Sequence, residues 1–180
     1  MIVRIGDAFQ VSASFPSGAY WLLGLAIGFR PYEREAMATI FTHALLPVAL
    51  RAGTGKGAVS NRLLAVAILA TILPDVDVIA FLYGIPYGDA FGHRGFTHSV
   101  AFALAVGMLG VLWRAGLGST GTKAFIVLFA STLSHPILDA FTNGGLGVAF
   151  LWPLSDVRYF MPWQPLEVSP IGARGFFTAR

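Results

Sequence analysis

Seven consecutive residues, His93-Arg94-Gly95-Phe96-Thr97-His98-Ser99, place two imidazoles, a guanidinium and two hydroxyls directly ahead of an apolar run that reaches Trp113. So dense a polar cluster at the end of an apolar helix points to half of a metal site, with the other half supplied from elsewhere in the chain. His135 and Asp139 are four residues apart, which puts them on one helix face a turn apart. At that spacing two side chains can grip one ion. Asp75 and Asp77 flank Val76 directly after Pro74, where proline loosens a helix and lets both carboxylates turn inward. His43 stands in an apolar stripe of Ile40, Phe41, Leu45, Leu46, Val48 and Leu50.

Imidazoles and carboxylates without sulfur suit zinc, manganese or iron, and the chain has no cysteine to offer thiolates. The expected ligands are His43, Asp77, His98, His135 and Asp139. Asp75 and His93 are expected at the reaction as ligand, supporting group or proton carrier, Arg94 as a clamp for a phosphate or developing oxyanion, and Thr97, with Thr142, as orienting hydroxyls. These candidates outnumber the roughly four ligands of one tetrahedral zinc, so one or two divalent ions are expected. Paired metals about 3.5–4 Å apart serve phosphoester or amide hydrolysis, one ion polarising the oxygen under attack and a metal-activated water supplying the nucleophile. Plainer readings stand beside these. His43 alone reads as a core histidine, Asp75 or Asp77 as a helix cap, Arg94 as an interfacial anchor, and Asp156 with Arg158 as a solvated loop pair.

Four helices are predicted to position these groups: Met37 to Arg51, Asn61 to Gly84 with an interruption at Pro74, His98 to Arg114, and Thr122 to Thr142 with a kink at Pro136. The start of the first and third and the end of the second and fourth fall on one side, and each carries one of the polar motifs. Arg51, Lys56 and Arg62, with Arg114 and Lys123, fall on the other. Basic loops favour the cytoplasm, which places the metal site toward the extracytoplasmic face. Residues 1–36 read as an interfacial or disordered extension, because the apolar run Ala19 to Phe29 is too short to span a bilayer.

Hydrophobic residues make up 56% of the 180 residues and charged residues 12%, against about 25% charged in an average soluble domain. That deficit makes lipid the solvent for much of the surface. The fold class is therefore all-α, a multi-spanning membrane bundle of about four core helices with the metal site at one end. The net charge of +3 is scattered, with no basic patch interleaved with aromatics, so nucleic acid is not an expected partner. Each carboxylate held in a membrane helix costs about 2.5–3.5 kcal/mol, a cost that a bound cation offsets.

In this order, Thr42-His43, Pro74-Asp75-Val76-Asp77, the His93 to Ser99 motif, the Ser134 to Gly144 motif and Trp152-Pro153-Leu154-Ser155-Asp156 resemble the LexA-regulated, membrane-bound, metal-dependent hydrolases. The likeness covers about residues 37–170. It implies a multi-spanning helical protein of bacterial or archaeal membranes with hydrolase activity. In such proteins the first motif lies near the N-terminus, so Met37 is expected as the natural start and 37–180 as the hydrolase domain. A further apolar helix is expected beyond Arg180. The H-x-x-x-D helix is similar, more distantly, to the all-helical zinc phospholipases C and nucleases.

Together these readings predict a hydrolase of the inner membrane acting on an ester or phosphoester of a small-molecule or lipid substrate, with membrane lipid as its surroundings. A cation or proton transporter using the same residues is the alternative, and it predicts ligands spread through the membrane depth. A metal that only staples helices would show a closed ligand shell.

Overall fold

The computed structural model describes residues 2–4, 43–55 and 57–166. The predicted N-terminal extension, apart from 2–4, the first turns of the predicted helix at Met37, Lys56 and the last residues of the tail lie outside them. The fold is helical. Helix α1 spans Leu45–Thr54, α2 Asn61–Ile72, α3 Val100–Leu112 and α4 Gly121–Ala140. The α2 segment continues without a break into a 3-10 segment, Leu73–Tyr83, and a short 3-10 turn, Phe96–His98, leads into α3.

Local chemistry sets these boundaries. Ser60, Ser99 and Thr120 cap α2, α3 and α4, each hydroxyl accepting from a backbone N–H in the first turn. Ser60 Oγ also donates to the Leu117 carbonyl, tying the loop before α2 to the loop before α4. Pro74 lacks the N–H that an α-helix needs, and its ring opposes the carbonyl four residues back. The helix narrows to 3-10 geometry there and ends at Gly84 in the left-handed conformation, φ 74°. Eleven residues is long for 3-10 structure, which seldom exceeds about four.

The unit Asn61–Tyr83, with 23 residues, and α4, with 20, are long and apolar enough to cross a membrane. Helix α4 packs against the other three helices, and α3 lies closest along it. Gly110 makes that approach possible, since a Cβ there would come within 2.6 Å of Leu128 Cδ1. The apolar core, with Leu63, Ala67, Val106, Leu117, Ala124 and Leu128 at its centre, fills the end where α2 and α4 begin. Both basic loops lie at that end, and the histidines and aspartates gather at the other.

A chain segment without regular helix closes the polar end. Met161 N donates to Ala140 O, Asn143 N to Leu166 O and Val100 N to Phe150 O, so this segment satisfies groups that the helix termini leave open. A short strand, β2 (Arg158–Phe160), lies parallel to β1 (Ile2–Arg4) with Val3 opposite Tyr159.

Candidate metal centre

The 3-10 segment decides where the two aspartates point. Burial repeats every three residues: Pro74 and Asp77 are buried, Asp75 and Val78 half-buried, and Leu73, Val76, Ile79 and Leu82 exposed. With about three residues per turn, Asp75 and Asp77 stand about 120° apart. On an α-helix they would stand about 160° apart, on nearly opposite faces. Both carboxylates therefore reach the interior, through local backbone geometry alone.

Asp75, His98, His135 and Asp139 form one group whose possible ligand atoms all lie within 4.8 Å of one another. His135 Nε2 is 3.2 Å from Asp75 Oδ1 and 3.7 Å from Asp139 Oδ2. His98 Nε2 is 3.3 Å from Asp139 Oδ2 and 3.9 Å from Asp75 Oδ1. The other ring nitrogen of each histidine is committed elsewhere. His135 Nδ1 is 2.7 Å from the Thr71 carbonyl, which can only accept, so Nδ1 carries a proton and Nε2 is the atom turned toward the carboxylates. His98 Nδ1 is 3.1 Å from Asp77 Oδ2, leaving its Nε2 buried with no hydrogen-bond partner among the described residues. Two imidazoles, each oriented by an acceptor behind it, thus face two carboxylates, which is the usual build of a histidine–carboxylate metal site.

Asp77 lies behind His98, in a second group with His93. Its acceptor sites are taken up. Oδ1 is 2.6 Å from His93 Nδ1, and Oδ2 accepts from Arg94 N at 3.1 Å and Thr97 Oγ1 at 2.7 Å, besides its contact with His98. So Asp77, predicted as a ligand, is placed to orient His98, and Asp75, predicted as a catalytic group, stands among the ligand atoms. His43 stands outside both groups. Its ring stacks on His135 with centroids 3.9 Å apart, and its buried Nδ1 has no hydrogen-bond partner among the described residues.

Arg94 is buried, which corrects its reading as a snorkelling anchor. Nε lies 3.1 Å from Asp139 Oδ2, NH1 donates to Gly144 O at 2.9 Å and NH2 to Thr142 Oγ1 at 3.1 Å. The two NH groups are hydrogen-bonded and Nε meets Asp139 as an ion pair without hydrogen-bond geometry, so the guanidinium sets its charge beside Asp139. The residue has φ 61°, a left-handed conformation that costs a non-glycine residue about 1 kcal/mol or more. That backbone lets one residue serve Asp77 with its N–H and Asp139 with its side chain.

Arg158 corrects another expectation. It is buried rather than half of a solvated pair, because its fork finds four carbonyl acceptors. NH1 donates to His93 O (3.0 Å) and Gly147 O (3.4 Å), and NH2 to Asp89 O (2.9 Å) and Tyr87 O (3.3 Å). Burial lowers its pKa somewhat, opposed by Tyr87 and Asp77. Tyr87, which the sequence did not single out, stands edge-on to His93 at 5.1 Å, and burial raises its phenol pKa. The one sequence signal for Arg158 is a cation standing alone between Lys123 and Arg174, in an aromatic, proline-rich stretch.

The model of the YdjM inner membrane protein family matches residues 37–180. The chain belongs to that family. Among curated proteins it is similar to the inner membrane protein YbcI of Escherichia coli strain K12, 44% identical over 147 residues that cover 79% of this chain and 83% of that protein. No solved structure matches. Membership in this family bears out the sequence reading of an inner-membrane protein, and the four α-helices among the described residues bear out the helical fold class.

Proposed function

We propose that this member of the family is a metal-dependent hydrolase of an ester or phosphoester, crossing the membrane several times and holding one divalent ion among Asp75, His98, His135 and Asp139. The observation that carries the reading is the paired orientation of His98 and His135. Each ring is fixed through Nδ1 and turns Nε2 toward the same two carboxylates. With both rings neutral, lone pairs and anionic oxygens would face one another at 3.2–3.9 Å, an arrangement that ion binding relieves.

Two nitrogens and two carboxylate oxygens suit zinc, with manganese or iron as alternatives. An ion there would polarise an ester or phosphoryl oxygen and lower the pKa of a water. One ion is proposed rather than two, because His93 Nδ1, 2.6 Å from Asp77 Oδ1, is already taken up by that contact. Asp77 and Thr97 hold the His98 ring, and Arg94 holds Asp139. His93, next to Asp77 and edge-on to Tyr87, would carry a proton.

The Asp75 side chain is 36% exposed while the other three are nearly sealed. That opening supports a reaction site over a closed structural staple. Gathering of the cluster at one end, against an apolar core at the other, favours a hydrolase over an ion or proton path. The basic loops at the opposite end favour an extracytoplasmic site.

Metal analysis by mass spectrometry on detergent-purified protein tests the reading. About one equivalent is expected in the wild type, lost in His98→Ala and in Asp139→Ala. No bound metal in a wild type that unfolds cooperatively would sink it.

A further inference from the structure

We propose that the substrate is a membrane lipid that reaches the cluster sideways from the bilayer, its ester- or phosphate-linked headgroup meeting Asp75 while its tail lies along the outer face of the Asn61–Tyr83 unit. What happens to the headgroup rests on the hydrolase reading; the sideways opening rests on geometry alone.

The polar end is roofed. His93, Arg94, Thr97 and Arg158 are all buried, and the Arg158 fork locks the loop from Tyr87 to His93 over the cluster. Asp75 is the one member of the cluster with a substantially exposed side chain. It belongs to a segment long and apolar enough to cross a membrane. Around the 3-10 turn its row borders the exposed row of Leu73, Val76 and Ile79, which Leu69, 66% exposed, extends toward α2.

The rim is therefore apolar. From Leu63 to Pro74, and again from Val78 to Gly88, the sequence carries no charged residue. A water-soluble ester or phosphate would have to cross hydrocarbon to reach Asp75, whereas a lipid already has its tail there and needs only to bring its headgroup inward. Hydrolysis then adds water across the bond, its hydroxyl oxygen going to the acyl or phosphoryl group and a proton to the departing alcohol.

The absence of cysteine makes the opening measurable. Val76→Cys and Ile79→Cys, each labelled with bimane, are placed in nanodiscs containing brominated phosphatidylcholine. Quenching by the brominated lipid stronger than by iodide in the water is expected at both positions. The reverse order would overturn the lateral opening. Zinc-loaded wild-type protein is then given long-chain phosphatidylglycerol in nanodiscs, or the same headgroup in water-soluble form, dibutyryl phosphatidylglycerol, which keeps both the acyl esters and the phosphodiester. The expected result is lipid turnover with the soluble headgroup at least about tenfold slower in kcat/KM, because the tail no longer contributes binding energy. Equal rates would overturn the lipid assignment while leaving the hydrolase reading intact. No turnover of either, with zinc bound, sinks the hydrolase reading and the substrate role with it, and the quenching order still decides the lateral opening.

Discussion

The Nδ1 of His98 lies 3.1 Å from the Oδ2 of Asp77. That contact fixes which nitrogen of the ring is free. It also divides two aspartates two residues apart between different tasks, Asp75 facing the candidate ion and Asp77 standing behind its proposed ligand. Asp77→Asn keeps the shape but supplies a poorer acceptor to a crowd of donors. The expected outcome is a zinc affinity about 10–100-fold weaker, with stoichiometry restored at high zinc. Asp75→Asn removes a proposed ligand, and its loss should be the larger of the two. Competition titration against a chelator measures both; equal losses would put Asp77 among the ligands.

Stacking assigns His43 a supporting role beside His135. His43→Phe keeps a flat ring against the imidazole and removes both nitrogens. The bound metal is expected to stay at the wild-type equivalent, with thermal stability within about 1 kcal/mol. If mass spectrometry finds the variant empty, His43 is a ligand and the four-residue set is incomplete.

The motifs that carry the centre are local in sequence. His135 and Asp139 share a turn, and the His93 to Ser99 stretch sits at a helix start, so the convergence of these groups could be read from helix order and loop positions. Three features could not. The fork of Arg158 bonds carbonyls from 11 to 71 residues away, and carbonyls have no sequence signature. Burial of Arg94 depends on Thr142 and Gly144, brought to it by tertiary packing. The division between Asp75 and Asp77 depends on a change of helix type that a lone proline announces without fixing its length.

Replacing Arg158 by Met leaves several buried carbonyls without their donor. Loss of about 2–4 kcal/mol is expected, seen as a lower unfolding midpoint in detergent. Arg158→Lys should recover only part, since an ammonium cannot span the positions of a planar fork. Full stability in the Lys variant would show that charge, and not the fork, holds the loop.

Gly145 has φ 84°, and a Cβ there would lie 2.5 Å from the Tyr87 hydroxyl and 3.0 Å from Arg94 NH1. Gly55 has nearly the same φ, 85°, with nothing within 4 Å. Gly55, with ψ 156°, lies where essentially only glycine goes, so Gly55→Ala should cost about 1–3 kcal/mol from backbone strain alone. Gly145→Ala should cost more and also weaken metal binding, because Arg94 must shift and Asp139 with it. Matching losses in thermal unfolding, with unchanged affinity at both sites, would dismiss Arg94 as the positioner of Asp139.

Pro74 tests the link between backbone and chemistry. Pro74→Ala restores the missing N–H and removes the clash with the preceding turn, so the segment to Tyr83 is free to relax toward α geometry. Intrinsic helix stability rises, and circular dichroism should show equal or greater helicity. The aspartates, however, swing from about 120° to about 160° apart, so one carboxylate must leave its partners. The expected result is a protein at least as helical whose zinc affinity falls by roughly tenfold or more. A variant that binds zinc as tightly as the wild type would mean that packing against α4, and not the proline, imposes the narrow helix on which the two aspartates depend.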